Sequence, residues 1–288
     1  MKSGDNMSVL TDTITLNNDV KIPAIGFGTW QTPNGPIAYK AVKTALDLGY
    51  RHIDTAYAYH NEESVGKAIK DSGLKREEVF ITSKLPGEVK NAKQVTEYFE
   101  STINSLGVDY LDLYLIHAPW PWNKIGERHD ADNVAVWREI EKLYQAGKIK
   151  SIGVSNFDVH DLQNLLKHTD IVPVVNQIQY YVGFTEPKIV QFATEHHIKI
   201  EAYSPLATGD LIHNAKVKAI ADHYNVSVPQ VALKFVLQNG AIVLPKATSE
   251  AHIKANADLD FTISEADMAT LNAMTDTAPA HFHNETQG

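Results

Sequence analysis

Cysteine is absent from all 288 residues, which excludes disulfides, thiolate catalysis and cysteine-ligated zinc and fits a reducing compartment. No apolar run is long enough to cross a bilayer, and the opening MKSGDNMSVL lacks the apolar core of a secretory signal. A cytoplasmic protein is therefore expected, with Met7 a second candidate start. Basic residues are also scarce. Lys and Arg number 26 against 35 Asp and Glu, net −9, with the signs interspersed, so neither nucleic acid nor membrane is an expected partner. A monomer acting on a small molecule is the expectation, and an anionic ligand would need a local basic pocket set against the global field. A further absence concerns phosphate binding. The stretch GFGTWQTPNG holds no GxGxxG, which argues against a doubly wound dinucleotide fold.

Hydrophobic residues make up 43% of the chain, enough for a sizeable core. The segment TITLNNDVKIP reads as two short alternating runs around Asn17-Asn18-Asp19, a β-hairpin. After it, apolar β-rich runs recur at Ala24–Phe27, Arg51–Asp54, Val79–Ser83, Leu111–Ile116, Lys150–Val154, Val172–Asn176, Lys199–Ala202 and Ala241–Leu244. Helical periodicity fills intervals at Pro36–Leu48, Val95–Leu106, Val134–Tyr144, His160–Leu166 and Pro187–His196. Eight strands alternating with helices imply parallel βαβ units closing into a (β/α)8 barrel, an α/β fold. With no linker, repeat or composition break, residues 1–288 are expected to form a single domain.

In such a barrel the C-terminal strand ends share one mouth. Those ends carry Asp54, Tyr59 in the following loop, Lys84, His117, Ser155, Asn156, Gln177, Tyr203, Ser204 and Lys246. Singly, each has an ordinary explanation: an ion pair for Asp54 and Lys84, a satisfied core group for His117, packing for Tyr59. Together at one face they suit proton chemistry. A tyrosine with a pKa near ~10 is a poor donor until a cation stabilises its phenolate. Lys84 is that cation in this reading, Asp54 holds its ammonium, and a neutral His117 orients a carbonyl without competing as the acid. No residue here is a convincing covalent nucleophile, and a carbonyl becoming an alkoxide is the simplest reaction that fits.

Specific segments then resemble the aldo-keto reductase superfamily. GYRHIDTAYAYHNEESVG (Gly49–Gly66) resembles its first signature. GFGTW (Gly26–Trp30), ITSKL (Ile81–Leu85), YLDLYLIHAPWP (Tyr110–Pro121), GVSNF (Gly153–Phe157), VVNQIQYY (Val174–Tyr181), AYSPLATGD (Ala202–Asp210) and LPKATSEAHIKAN (Leu244–Asn256) follow in the family's order. The resemblance implies a TIM barrel whose bottom is closed by the N-terminal hairpin, binding an extended nicotinamide dinucleotide. It implies a catalytic tetrad of Asp54, Tyr59, Lys84 and His117. Cofactor contacts would come from Thr29, Trp30 and Asp54, from Ser155, Asn156 and Gln177 on the carboxamide, and from Tyr203 stacked on the ring. Ser204, Pro205, Leu206 and Asp210 would cover the pyrophosphate, while Lys246, Thr248, His252 and Asn256 would hold the adenosine end. The substrate pocket would be lined by Trp30, Tyr59, His117, Ala118 and Trp120.

Departures sharpen the expectation. NADPH-specific members commonly carry a serine and an arginine where this chain has Ala247 and His252, and an acidic residue where it has Ala255. A guanidinium binds phosphate bidentately, whereas an imidazole offers one bond and a partial charge, so NADPH is expected to be preferred modestly, with NADH also used. Ala118 stands where many members place a tryptophan, with Trp120 and Trp122 nearby, so room beside the nicotinamide is expected. The last helix ends near Met274 without the long loop of animal relatives, which resembles the shorter bacterial members, the diketogluconate and glyoxal reductases among them. The leading function is reduction of aldehydes, α-dicarbonyls or activated ketones, with no metal. A nucleotide-binding regulatory protein on the same fold is the alternative, and a metal-dependent hydrolase using His196 and His197 ranks last, because adjacent histidines diverge.

Overall fold

The structure is a computed structural model describing residues 8–278, so Met7 lies outside the described residues. Strands β1 (Thr13–Thr15) and β2 (Lys21–Pro23) pair antiparallel, Ile14 opposite Ile22, in the expected hairpin. Its asparagines bind as well as turn. Asn17 Nδ2 donates to the carbonyl of Pro173 (3.0 Å) and Asn18 Nδ2 to that of Lys150 (3.1 Å), fastening the hairpin to the N-terminal ends of two barrel segments.

Eight strands follow in one parallel sheet: β3 (Phe27–Gly28), β4 (His52–Asp54), β5 (Phe80–Leu85), β6 (Leu111–Ile116), β7 (Ile149–Ser155), β8 (Val175–Gln179), β9 (Lys199–Tyr203) and β10 (Ile242–Leu244). A parallel bridge between Ile25 and Val243 brings the last strand back to the first, giving the (β/α)8 barrel. Strand β8 sits three residues later than its apolar run. Val172 is exposed and Pro173 has no N–H to pair, so pairing begins beyond them and continues through the polar Gln177 and Gln179.

Period-two alternation divides each strand between the helices and the barrel axis. On β6, Tyr114 and Ile116 join the large core beneath the helices, while Leu113 and Leu115 face inward. The inward set is completed by Phe80, Val175 and Ile242 with Leu16 and Ile22 of the hairpin, so the floor of the barrel is packed and the hairpin plugs it. Gly153 belongs to this layer for want of space: a Cβ there would lie 2.9 Å from both Leu115 and Val175 side chains.

The flanking helices are α1 (Pro36–Asp47), α2 (Glu62–Asp71), α3 (Val95–Leu106), α4 (Asp130–Gln145), α5 (Val159–His168), α6 (Pro187–Glu195), α7 (Ala215–His223), α8 (Val228–Gln238), α9 (Glu250–Ala257) and α10 (Glu265–Asn272). Helix α4 starts a turn before its apolar stripe, where Asp130 and Asp132 suit the positive end of the helix. Ser227 with Gln230 forms a capping box at α8, a signal readable from sequence. Among the described residues no helix is long and apolar enough to cross a membrane.

One interior histidine yields a stability prediction. His52 is fully buried, its Nε2 3.0 Å from Thr82 Oγ1 and its ring edge-on to Phe80. Burial, reinforced by the charge of Lys84, lowers its pKa to about 3. The unfolded chain therefore binds a proton below pH ~6.5 that the folded chain refuses, and stability falls as pH drops from there, by up to about 1.4 kcal/mol per pH unit from this residue. Urea midpoints between pH ~6.5 and ~4.5 should show a shallower acid dependence for His52→Leu than for the wild type; equal slopes would remove His52 from the account.

Candidate active site

Moving two positions along each strand keeps a side chain inward and carries it from the packed floor to the mouth. His52 gives way to Asp54, Thr82 to Lys84, Leu115 to His117, Gly153 to Ser155, Val175 to Gln177 and Glu201 to Tyr203. The lower layer sets Leu115, Gly153 and Val175 beside three buried polar groups, His52, Thr82 and Glu201, while every residue of the upper layer is polar.

At the centre Lys84 is wholly buried, and its Nζ donates to Asp54 Oδ1 (2.6 Å), to the Thr55 carbonyl (2.9 Å) and to the Tyr59 hydroxyl (3.2 Å). Burial pulls the Lys84 pKa down, but Asp54 and Tyr59 more than reverse this, so the ammonium is retained above the usual lysine range. Tyr59 is delivered by the short 3-10 turn Tyr57–Tyr59 after β4. Burial raises its pKa above the ordinary phenol value; Lys84 opposes the rise, while Asp54 and Glu201 add to it. This modifies the expectation from sequence: Lys84 does favour the phenolate, but burial outweighs it and Tyr59 stays a protonated acid. His117 stands across the cavity, its ring 5.6 Å from that of Tyr59 and edge-on. Burial first, then Lys84, holds its pKa well below the usual value, so the imidazole is neutral, and Nδ1 has no hydrogen-bond partner among the described residues.

Behind these lies a shell of amides and hydroxyls. Asn156, in the left-handed region at φ 60°, donates from Nδ2 to the His117 carbonyl (2.9 Å) and accepts the Tyr203 hydroxyl at Oδ1 (2.7 Å). Ser155 Oγ donates to the Gln177 carbonyl (2.8 Å), and Gln177 Nε2 donates to Asp54 Oδ2 (2.8 Å) and to Glu201. The loop after β9 places Ser204, Ala207, Thr208 and Gly209 at positive φ, and it is closed on itself by the Ala207 amide on the Ser204 carbonyl and the Gly209 amide on the Leu206 carbonyl (2.9 Å each).

Most of these groups face one cavity of about 710 Å³, with Lys84 and Glu201 buried behind its wall. Of the residues expected at it, Trp30, Asp54, Tyr59, His117, Ser155, Asn156, Gln177, Tyr203, Ser204, Pro205, Leu206 and Lys246 do line it. Others stand elsewhere. Thr29 is fully buried and uses its amide and hydroxyl on the Asp54 carbonyl (3.1 and 3.0 Å), pinning the end of β4. Asp210, Thr248, His252 and Asn256 are not in the wall; Thr248 and His252 are exposed and Asn256 is buried. Ser249 caps α9, accepting the His252 amide at 3.3 Å.

The pocket expectation at Ala118 and Trp120 is corrected. Both are buried outside the cavity wall, and the Ala118 methyl packs against the loop after β5, 3.0 Å from where a Gly87 Cβ would be. Trp122 and Ile125 form the wall instead, Trp122 edge-on to both His117 (5.7 Å) and Trp120 (4.9 Å). Their loop is fastened by Arg128, which bonds Asp158 (2.7 Å) and Asp161 (3.0 Å) at the start of α5. Two residues went unnoticed in the sequence. Asn61, fully buried, ties the Tyr59 turn to the carbonyls of Thr29 (2.9 Å) and Thr32 (3.0 Å). Glu201, also fully buried, was signalled only by a lone acid within the strand KIEAY. His196 and His197 lie at the end of α6, away from the cavity, His196 bonding the Phe192 carbonyl at 2.8 Å.

Comparison with known proteins agrees with this architecture. The description of the aldo/keto reductase family matches residues 24–276. The glyoxal reductase of Bacillus subtilis (strain 168) is 44% identical over 266 residues, covering 92% of this chain and 93% of that protein. A 9,11-endoperoxide prostaglandin H2 reductase of Trypanosoma cruzi (strain CL Brener) is 37% identical over 265 residues, covering 91% and 90%. The crystal structure of an aldo/keto reductase from Brucella melitensis superposes with a TM-score of 0.85 at 40% identity, covering 91% of this chain and 98% of that one.

Proposed function

This chain belongs to the aldo/keto reductase family, and from that premise we propose that it reduces aldehydes, α-dicarbonyls and activated ketones with a nicotinamide cofactor, Tyr59 supplying the proton. The observation that carries the reading is the Tyr59 hydroxyl 3.2 Å from a Lys84 ammonium that is itself paired to Asp54 at 2.6 Å, across the cavity from a neutral His117. A reduced nicotinamide, when bound, supplies a hydride to the carbonyl carbon. The residues present fit that group: the amides of Asn156 and Gln177 suit its carboxamide, the Tyr203 ring lines the same wall, and Lys246 offers charge for phosphate.

In this reading His117 donates to the substrate carbonyl and sets its direction, while the Tyr59 phenol holds the proton that the alkoxide takes. Lys84 lies close enough to stabilise the phenolate left behind, and Asp54 keeps Lys84 in place. Trp30, Trp122 and Ile125 give the mouth an apolar wall that suits an aryl or alkyl substituent. The glyoxal reductase likeness supports α-dicarbonyls. Phenylglyoxal and methylglyoxal should each drive steady consumption of the reduced cofactor by the purified protein. If neither does, nor any simple aldehyde or ketone, with NADPH or NADH, the enzyme reading is lost and a nucleotide-binding regulatory protein takes its place.

Cofactor choice follows from the start of α9. Thr248 and His252 are exposed there, with no guanidinium between Lys246 and Asn256. NADPH should be preferred modestly over NADH. His252→Arg should raise the NADPH/NADH ratio of kcat/KM by about tenfold, the ~1.4 kcal/mol between a bidentate charged contact and a weak one. A wild-type ratio already in the thousands, unmoved by this substitution, would place the phosphate elsewhere.

A further inference from the structure

Glu201 has no part in the chemistry above, yet it sits in the barrel axis among groups that do. Strand register puts it beside Gln177 on β8, with both side chains inward. It is wholly buried, and one of its oxygens accepts from Gln177 Nε2 while the other, Oε2, has no partner among the described residues. The same Gln177 nitrogen also donates to Asp54 Oδ2 at 2.8 Å. A primary amide has two N–H bonds and one acceptor oxygen, so two acceptors on this nitrogen consume both.

Asp54, ion-paired with Lys84, can only accept, so the amide cannot turn its oxygen that way. With both N–H bonds drawn toward the interior, the oxygen is what Gln177 can offer to the cavity it lines. We propose that Glu201 is a positioning residue: together with Asp54 it fixes the Gln177 amide so that its oxygen faces the cavity and accepts from the NH2 of a nicotinamide carboxamide. This rests on the reading that the cavity takes a nicotinamide nucleotide. Burial, then repulsion from Asp54, raises the Glu201 carboxyl to about 8. Near neutral pH it is therefore mostly protonated; Oε2 can carry the proton while the other oxygen still accepts, and no second buried charge opposes Asp54.

The test compares NADP+ with its 3-acetylpyridine analogue, in which a methyl ketone replaces the carboxamide and no N–H remains. Binding is followed by quenching of tryptophan fluorescence, since Trp30 and Trp122 line the cavity. Wild type should bind NADP+ more tightly than the analogue. Glu201→Met, which keeps the bulk and removes the acceptor, should weaken NADP+ about three- to tenfold, the range of one neutral hydrogen bond, and leave the analogue within about twofold. Glu201→Gln keeps an acceptor facing Gln177 and should keep the wild-type preference. Glu201→Thr, too short to reach Gln177, repeats the methionine arm should that variant not fold. The inference is overturned by equal weakening of both ligands, by no weakening of either, by a glutamine variant as impaired as the methionine one, or by a wild type that does not distinguish the two. A wild type that binds neither would instead defeat the functional reading on which the inference stands.

Discussion

Tyr59→Phe is expected to lower kcat for carbonyl reduction by about two to four orders of magnitude, the range of a positioned general acid. Burial keeps the phenol protonated, and Lys84 Nζ at 3.2 Å is placed to take up the charge left when the proton departs. Phenylalanine keeps the ring, its edge-on contact with His117 and the packing of the turn, so the loss isolates the hydroxyl. NADP+ affinity should change little, and single-turnover rates should fall as far as steady-state ones. A variant keeping more than about a tenth of wild-type turnover on several carbonyls would take the acid role from Tyr59.

Lys84→Met should abolish turnover comparably, for a different reason, and should also damage the fold. Without the ammonium, nothing opposes the burial that raises the Tyr59 pKa, so the phenol releases its proton less readily. Lys84 and Asp54 are 0% and 4% exposed, and removing one partner leaves a buried carboxylate uncompensated, a penalty of about 3–5 kcal/mol. Denaturant unfolding should therefore show a lower midpoint. Adding Asp54→Asn should return part of that stability, because the stranded charge is gone, and none of the activity. A double variant no more stable than Lys84→Met, or one that regains turnover, would contradict this account of the pair.

The sequence by itself determined the alternation of strands and helices, and with it the barrel, because apolar runs of period two between stretches of period 3.6 are local properties. It also determined which side chains were available for chemistry: Asp54, Lys84 and His117 each stand directly behind an apolar run, where a core has no use for them. Strand ends were less legible for the same reason. Lys84, Ser155, Gln177 and Tyr203 are paired residues of their strands, but their polarity breaks the apolar pattern that marks a strand.

Direction was decided only by the tertiary structure. Ala118 follows His117 by one residue yet packs against the loop after β5, leaving the pocket wall to Trp122, whose loop is fastened through Arg128 to Asp158 and Asp161, some thirty residues on. Thr29 carries a hydroxyl suited to a ligand, yet spends it on the Asp54 carbonyl, because β3 and β4 are neighbours. Glu201 looked like one acid in an ordinary strand until register set it against Gln177, and Gln177 against Asp54. Which residues exist to react is written locally; which of them meet depends on how far each strand is staggered against the next, and that follows from closing all eight around a packed floor.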